Sequence, residues 1–76
     1  MNKDRRQQLS DAKEALDDVI SQLNDIRDEE QDAFDNMPES LQESERASKM
    51  TEAVDAIDQA ISSIEETQQS IDEAAA

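Results

Sequence analysis

An all-α fold, an antiparallel two-helix coiled-coil hairpin, follows from three features of the 76-residue chain. Apolar residues recur at alternating steps of three and four on both sides of one proline, Pro38; glycine is absent; and Phe34 is the only aromatic residue. Steps of three and four keep side chains on one face of a helix. A chain without glycine, tyrosine or tryptophan is poorly suited to a sheet with tight turns.

The first apolar series runs Leu9, Ala12, Leu16, Val19, Leu23, Ile26, Glu30, Ala33, Met37, and predicts a helix over about 3–36. Proline disfavours a helical residue before it and lacks a backbone donor, so Asn36 and Pro38 close that helix and open a tip over about 37–43. Ser40-Leu41-Gln42-Glu43 has the spacing of a capping box and Ser44 is a second candidate cap; the pattern leaves both open. The second series, Ala47, Met50, Val54, Ile57, Ile61, Ile64, Gln68, Ile71, Ala75, predicts a helix over about 44–74. The whole chain, 1–76, makes one domain.

Reflection about Ser40 pairs Leu9 with Ile71, Leu16 with Ile64, Val19 with Ile61, Leu23 with Ile57, Ile26 with Val54 and Ala33 with Ala47. An antiparallel coiled coil meets in such layers. The same register sets Arg6 opposite Asp72 and Lys13 opposite Glu65, two pairs of opposite sign. Two polar residues fall in the seam. Glu30, near the tip, is expected to reach water, and Gln68 to face Ala12 with room for solvent; the alternative is that they fix register or partner. Ile20 and Phe34 lie off this seam on a flank of helix 1, and Ala53, Ala60, Thr67 and Ala74 form a small-residue stripe on a flank of helix 2. About fourteen buried apolar side chains, many of them alanine, leave little net stability. Self-association is therefore expected, as a homodimer in which two hairpins form a four-helix bundle.

Twenty-one acids against seven bases give a net charge of −14. Such a chain is repelled by nucleic acid and by anionic membranes and attracted to basic surfaces. Lys3, Arg5 and Arg6 form a small basic patch that the hairpin would set near Asp72 and Glu73. Without cysteine or histidine there are no disulfides and no thiolate or imidazole metal sites. No apolar run approaches a signal-peptide core or a membrane span, so a soluble, cytoplasmic protein is expected.

Asp11, Asp18, Asp25 and Asp32 recur every seven residues and form one line on the outer face of helix 1, with Glu14, Asp28 and Asp35 beside it. Arms of roughly 35 residues are about 50 Å long. Acids spread over that length fall about one per 2.5 Å, against one phosphate per about 1.7 Å in duplex DNA. Carboxylates on exposed helices have no cleft in which to tune a pKa or position a substrate, so no enzyme is expected. The acidic run Asp25–Asn36 lacks the glycine and alternating ligands of a calcium loop. No metal or other cofactor is implied.

The tip, Asp32-Ala33-Phe34-Asp35-Asn36-Met37-Pro38-Glu39-Ser40-Leu41 within 27–46, resembles a segment of small acidic helical proteins encoded by phages and prophages of Gram-positive bacteria. The resemblance implies a viral or mobile-element origin and a host protein as partner. The expected function is then that of a non-enzymatic interaction protein. It would bind a basic surface of a host protein and block its nucleic-acid site, as a DNA mimic does. The partner-binding candidates are Asp11, Asp18, Asp25, Asp28, Glu29, Asp32 and Asp35, with Ile20, Phe34, Met37 and Leu41 as apolar anchors or dimer contacts. The alternative is a structural or adaptor coiled coil whose acid serves only solubility.

Overall fold

The computed structural model describes all 76 residues as two long helices folded back on each other, α1 (Lys3–Asp35) and α2 (Glu45–Ala75), joined by a tip that contains one 3-10 turn, Glu39–Leu41. It is an all-α hairpin, 59 × 15 × 11 Å between Cα extremes.

Each helix begins on a side-chain cap. Asn2 Oδ1 accepts from the Arg5 N–H at 2.8 Å, and Ser44 Oγ accepts from the Ala47 N–H at 3.2 Å. Both satisfy a donor that the first turn of a helix leaves free. Ser44 is thus the cap of α2, and Ser40 lies inside the 3-10 turn. In the tip the Leu41 N–H donates to the Pro38 carbonyl at 2.8 Å, and the Ser44 N–H to the Leu41 carbonyl at 3.1 Å. Gln42 Nε2 donates to the Met37 carbonyl at 3.3 Å. The chain therefore reverses without a single residue at positive φ, which is how a turn free of glycine is possible.

The seam of α2 is Ala47, Met50, Val54, Ile57, Ile61, Ile64, Gln68, Ile71 and Ala75, all buried or half-buried. On α1 the half-buried line is Leu9, Lys13, Leu16, Ile20, Leu23, Arg27, Glu30, Phe34 and Met37. This corrects the seam expected for α1. Leu9, Leu16, Leu23, Glu30 and Met37 keep their places, but Lys13, Ile20, Arg27 and Phe34 replace Ala12, Val19, Ile26 and Ala33 as the alternating members. Ile20 and Phe34 belong to the seam, whereas Val19 and Ile26 remain 40% and 46% exposed.

The reason lies in the width of the apolar face of α1. Three adjacent heptad lines carry apolar residues, and a two-helix seam uses only two of them. The pair taken contains the larger side chains, Ile20 and Phe34, together with the aliphatic stems of Lys13 and Arg27, whose charged heads reach acids at the edge of α2.

Gln68 sets the register. It is buried, and its Nε2 donates to the Lys13 carbonyl at 3.2 Å and to Asp17 Oδ1 at 2.7 Å. Seven-residue steps from that pair bring Ile20 level with Ile61, Arg27 with Val54 and Phe34 with Ala47. Gln68 thus meets Lys13 and Asp17, not Ala12 and solvent; its amide is a cross-helix lock. The expected ion pairs shift as well. Lys13 bridges Asp72 rather than Glu65, and Asp72 is not the partner of Arg6.

The hairpin therefore has two unlike broad faces. One carries Lys13, Asp17, Arg27, Asp58 and Asp72. The other carries Ala12, Val19, Ile26 and Ala33 from α1 beside Ala53, Ala60, Thr67 and Ala74 from α2, with Leu16, Leu23, Ile57 and Ile64 half-visible between them. From Arg5 at the open end as far as Glu30 near the tip, no charged side chain lies on that second face.

Candidate functional site

Each residue of the acidic line owes its placement to its heptad position. Asp11, Asp18, Asp25 and Asp32 lie on the side of α1 turned away from Leu9, Leu16 and Leu23, so whichever neighbouring line completes the seam, these carboxylates point outward. All four are exposed, as are Asp28, Glu29 and Asp35.

Few of the acids are neutralised. The ion pairs take up Asp28, Asp58, Asp72 and Glu45, leaving 17 of the 21 carboxylates without a basic partner. Within the line, Gln7 Nε2 donates to Asp11 at 3.0 Å and Gln31 Nε2 to Asp35 at 3.0 Å. Both are i,i+4 amide contacts that orient a carboxylate without cancelling its charge. Only Asp28 touches a base, accepting from Arg27 Nη1 at 3.2 Å.

With Lys13, Arg27 is one of two cations that bridge the helices. Its Nε donates to Asp58 Oδ1 at 2.8 Å and its Nη2 to Asp58 Oδ2 at 3.5 Å. These bonds, and secondarily the one to Asp28, push its pKa above the ordinary arginine value. It stays charged at every working pH, and it spans the two helices as a fork on one carboxylate. Lys13 Nζ sits 2.9 Å from both oxygens of Asp72.

The apolar candidates part company. Ile20, Phe34 and Met37 are half-buried in the seam, so their first role is to hold α1 on α2. Leu41 in the tip turn is 49% exposed. Val19 and Ile26, expected in the seam, stand outside it. The signal for this was the third apolar line on α1, one more than a two-helix seam can cover.

The hairpin encloses no cavity, and no three acidic side chains converge on a common point. Neither helix is long and apolar enough to cross a membrane. What the surface offers is negative charge along 59 Å: the 17 unpaired carboxylates, counted over all sides of the rod, average about one per 3.5 Å of axis, against one phosphate per about 1.7 Å of duplex. No family model matches the chain, and no curated protein or solved structure compared with it does so either.

Proposed function

We propose that this chain is a non-enzymatic interaction protein, an acidic helical rod that binds a basic surface of another protein and occupies a groove built for nucleic acid. The observation that supports this reading is the outer line of α1, where Asp11, Asp18, Asp25 and Asp32 are exposed and carry no basic partner. A rod whose carboxylates repeat every seven residues, about 10 Å, presents to a positively charged channel what a phosphate backbone presents in kind: repeated negative charge on a stiff support. The likeness of the tip to phage and prophage proteins makes that partner a bacterial host protein, blocked at its nucleic-acid site. Leu41 at the exposed tip, beside Glu39 and Glu43, supplies an apolar contact at the end of the rod.

The test is capture of partners from a bacterial lysate by the native chain and by Asp18→Asn/Asp25→Asn/Asp32→Asn, at low and at high salt, followed by a duplex-displacement assay on each captured protein. Charge-driven capture should be lost in the triple variant and should fall steeply with salt, because exposed charges beyond about 10 Å are screened at 0.1 M. Partners held equally by both chains at high salt would rule the reading out.

A second reading is favoured by a separate observation, the uncharged face around Val19 and Ile26. On that reading the hairpin is a structural or adaptor coiled coil and its acid serves solubility. Function would then tolerate the triple asparagine variant and fail on changes to the apolar face.

A further inference from the structure

The uncharged face has the composition of an interior and is open to water. Val19 and Ile26 project from α1 along it, and Ala53, Ala60 and Thr67 run beside them on α2. Only four residues of the chain are buried, all of them on α2.

From this geometry we infer that the face docks a second copy of this chain, the two hairpins stacking with their tips at opposite ends as a two-fold four-helix bundle. The area argues for it first. A compact monomer of 8.5 kDa exposes about 4,700 Å² by the usual scaling, and this hairpin exposes 5673 Å². The surplus, about 1,000 Å², matches what one partner contributes to a standard interface, about 800 Å².

Shape argues next for a like copy. A two-fold axis across the rod, which reverses the tips, lays α1 antiparallel on α1 and α2 antiparallel on α2, so that the ridge of Val19 and Ile26 meets its own copy and the alanine stripe meets its own copy across the axis. The facing stripes of small residues let the two α2 helices approach closely, and the Val19 and Ile26 side chains fill the space between the two α1 helices.

Charge sets the direction. Residues 22–58, around the tip, hold twelve acids and three bases; the remainder, at the open end, holds nine acids and four bases. Lys3, Arg5 and Arg6 lie at that open end, and none of them is in an ion pair. Opposed hairpins place these three bases against the acidic tip of the partner, whereas aligned hairpins would place tip against tip.

The inference stands on the fold alone and not on the proposed function. It does sharpen that reading, because two copies on one axis double the net charge to about one per 2 Å, close to the duplex value of about one per 1.7 Å.

Sedimentation of the purified chain at 1–100 µM tests it. A dimer is expected, together with a thermal midpoint that rises with concentration. Ile26→Asp and Ala60→Lys should each raise the dissociation constant at least about tenfold, since each acts twice across the two-fold axis. Ala60→Lys reduces the net negative charge and is a good helix former, so its effect cannot be added repulsion or lost helix. Ser21→Asp, an equal charge on the outer side of α1, should leave the dimer intact. For direction, oxidation of a mixture of Ser40→Cys and Asn2→Cys chains should link unlike variants, tip to open end. A monomer at 100 µM overturns the inference, as does a dimer indifferent to both Ile26→Asp and Ala60→Lys, or a Ser40→Cys chain that links to itself.

Discussion

The two broad faces of the hairpin are made by neighbouring lines of the same helices, yet they solve different problems. On one, Lys13, Arg27 and Gln68 reach across to Asp72, Asp58 and Asp17, and polar contacts fix which residue of α1 lies beside which of α2. On the other, Val19 and Ile26 stand beside a row of small residues and remain 40% and 46% exposed. Apolar contacts favour burial but tolerate sliding, whereas a hydrogen bond to one particular carbonyl does not. The polar face thus specifies the hairpin, and the apolar face is left for what the hairpin docks against.

The largest effect that separates seam from face should come from trimming isoleucine on each. Ile61 is buried between the helices, so Ile61→Ala should cost about 2–4 kcal/mol at every protein concentration. Ile26→Ala removes the same atoms from a side chain 46% exposed. In the isolated hairpin it should change stability by less than about 0.5 kcal/mol, with a larger loss only at concentrations where two copies pair. Thermal melts of both variants over a hundredfold dilution series would check this, and equal, concentration-independent losses would erase the distinction.

Much of this was legible in the residues. The seam of α2, the break before Pro38 and the outward line of aspartates follow from heptad spacing, because α2 has one clear apolar face and the aspartates lie opposite Leu9, Leu16 and Leu23. The choice between Val19 and Ile20, or Ile26 and Arg27, was not legible, since either line completes a seam with the leucines. It is decided by long-range partners, the Arg27–Asp58 fork and the Gln68 amide, and periodicity within one helix carries no information about the other.

Gln68 gives the next effect in size. Gln68→Glu puts a carboxylate against the Lys13 carbonyl and the Asp17 carboxylate, acceptors with no donor between them, and should destabilise the hairpin by about 2–3 kcal/mol at neutral pH. The introduced carboxyl would have its folded-state pKa raised above the unfolded one, so the loss should fade as pH falls and the acid regains a donor. Gln68→Leu should be close to neutral in stability. Its cost should appear as register: a cysteine pair replacing Phe34 and Ala47, which are level in the register that Gln68 sets, should oxidise less cleanly than in the parent. If Gln68→Glu melts like the parent at neutral pH, the amide is not the lock.

The smallest effect belongs to the ion pair at the open end. Lys13 and Asp72 are 2.9 Å apart, but their side chains are 38% and 59% exposed, so Lys13→Gln should cost only a few tenths of a kcal/mol at low salt. Salt acts on this chain in two opposing ways. It screens the attraction of that pair, and it screens the self-repulsion of a net charge of −14. The repulsion is the larger quantity, so the parent should become more stable as salt is raised, while the gap between parent and Lys13→Gln closes. Melts at 0.05 M and 1 M salt distinguish the contributions. A gap that persists unchanged at 1 M would mean that Lys13 stabilises the polar face through its packed stem rather than its charge, which would make the two faces more alike than their side chains suggest.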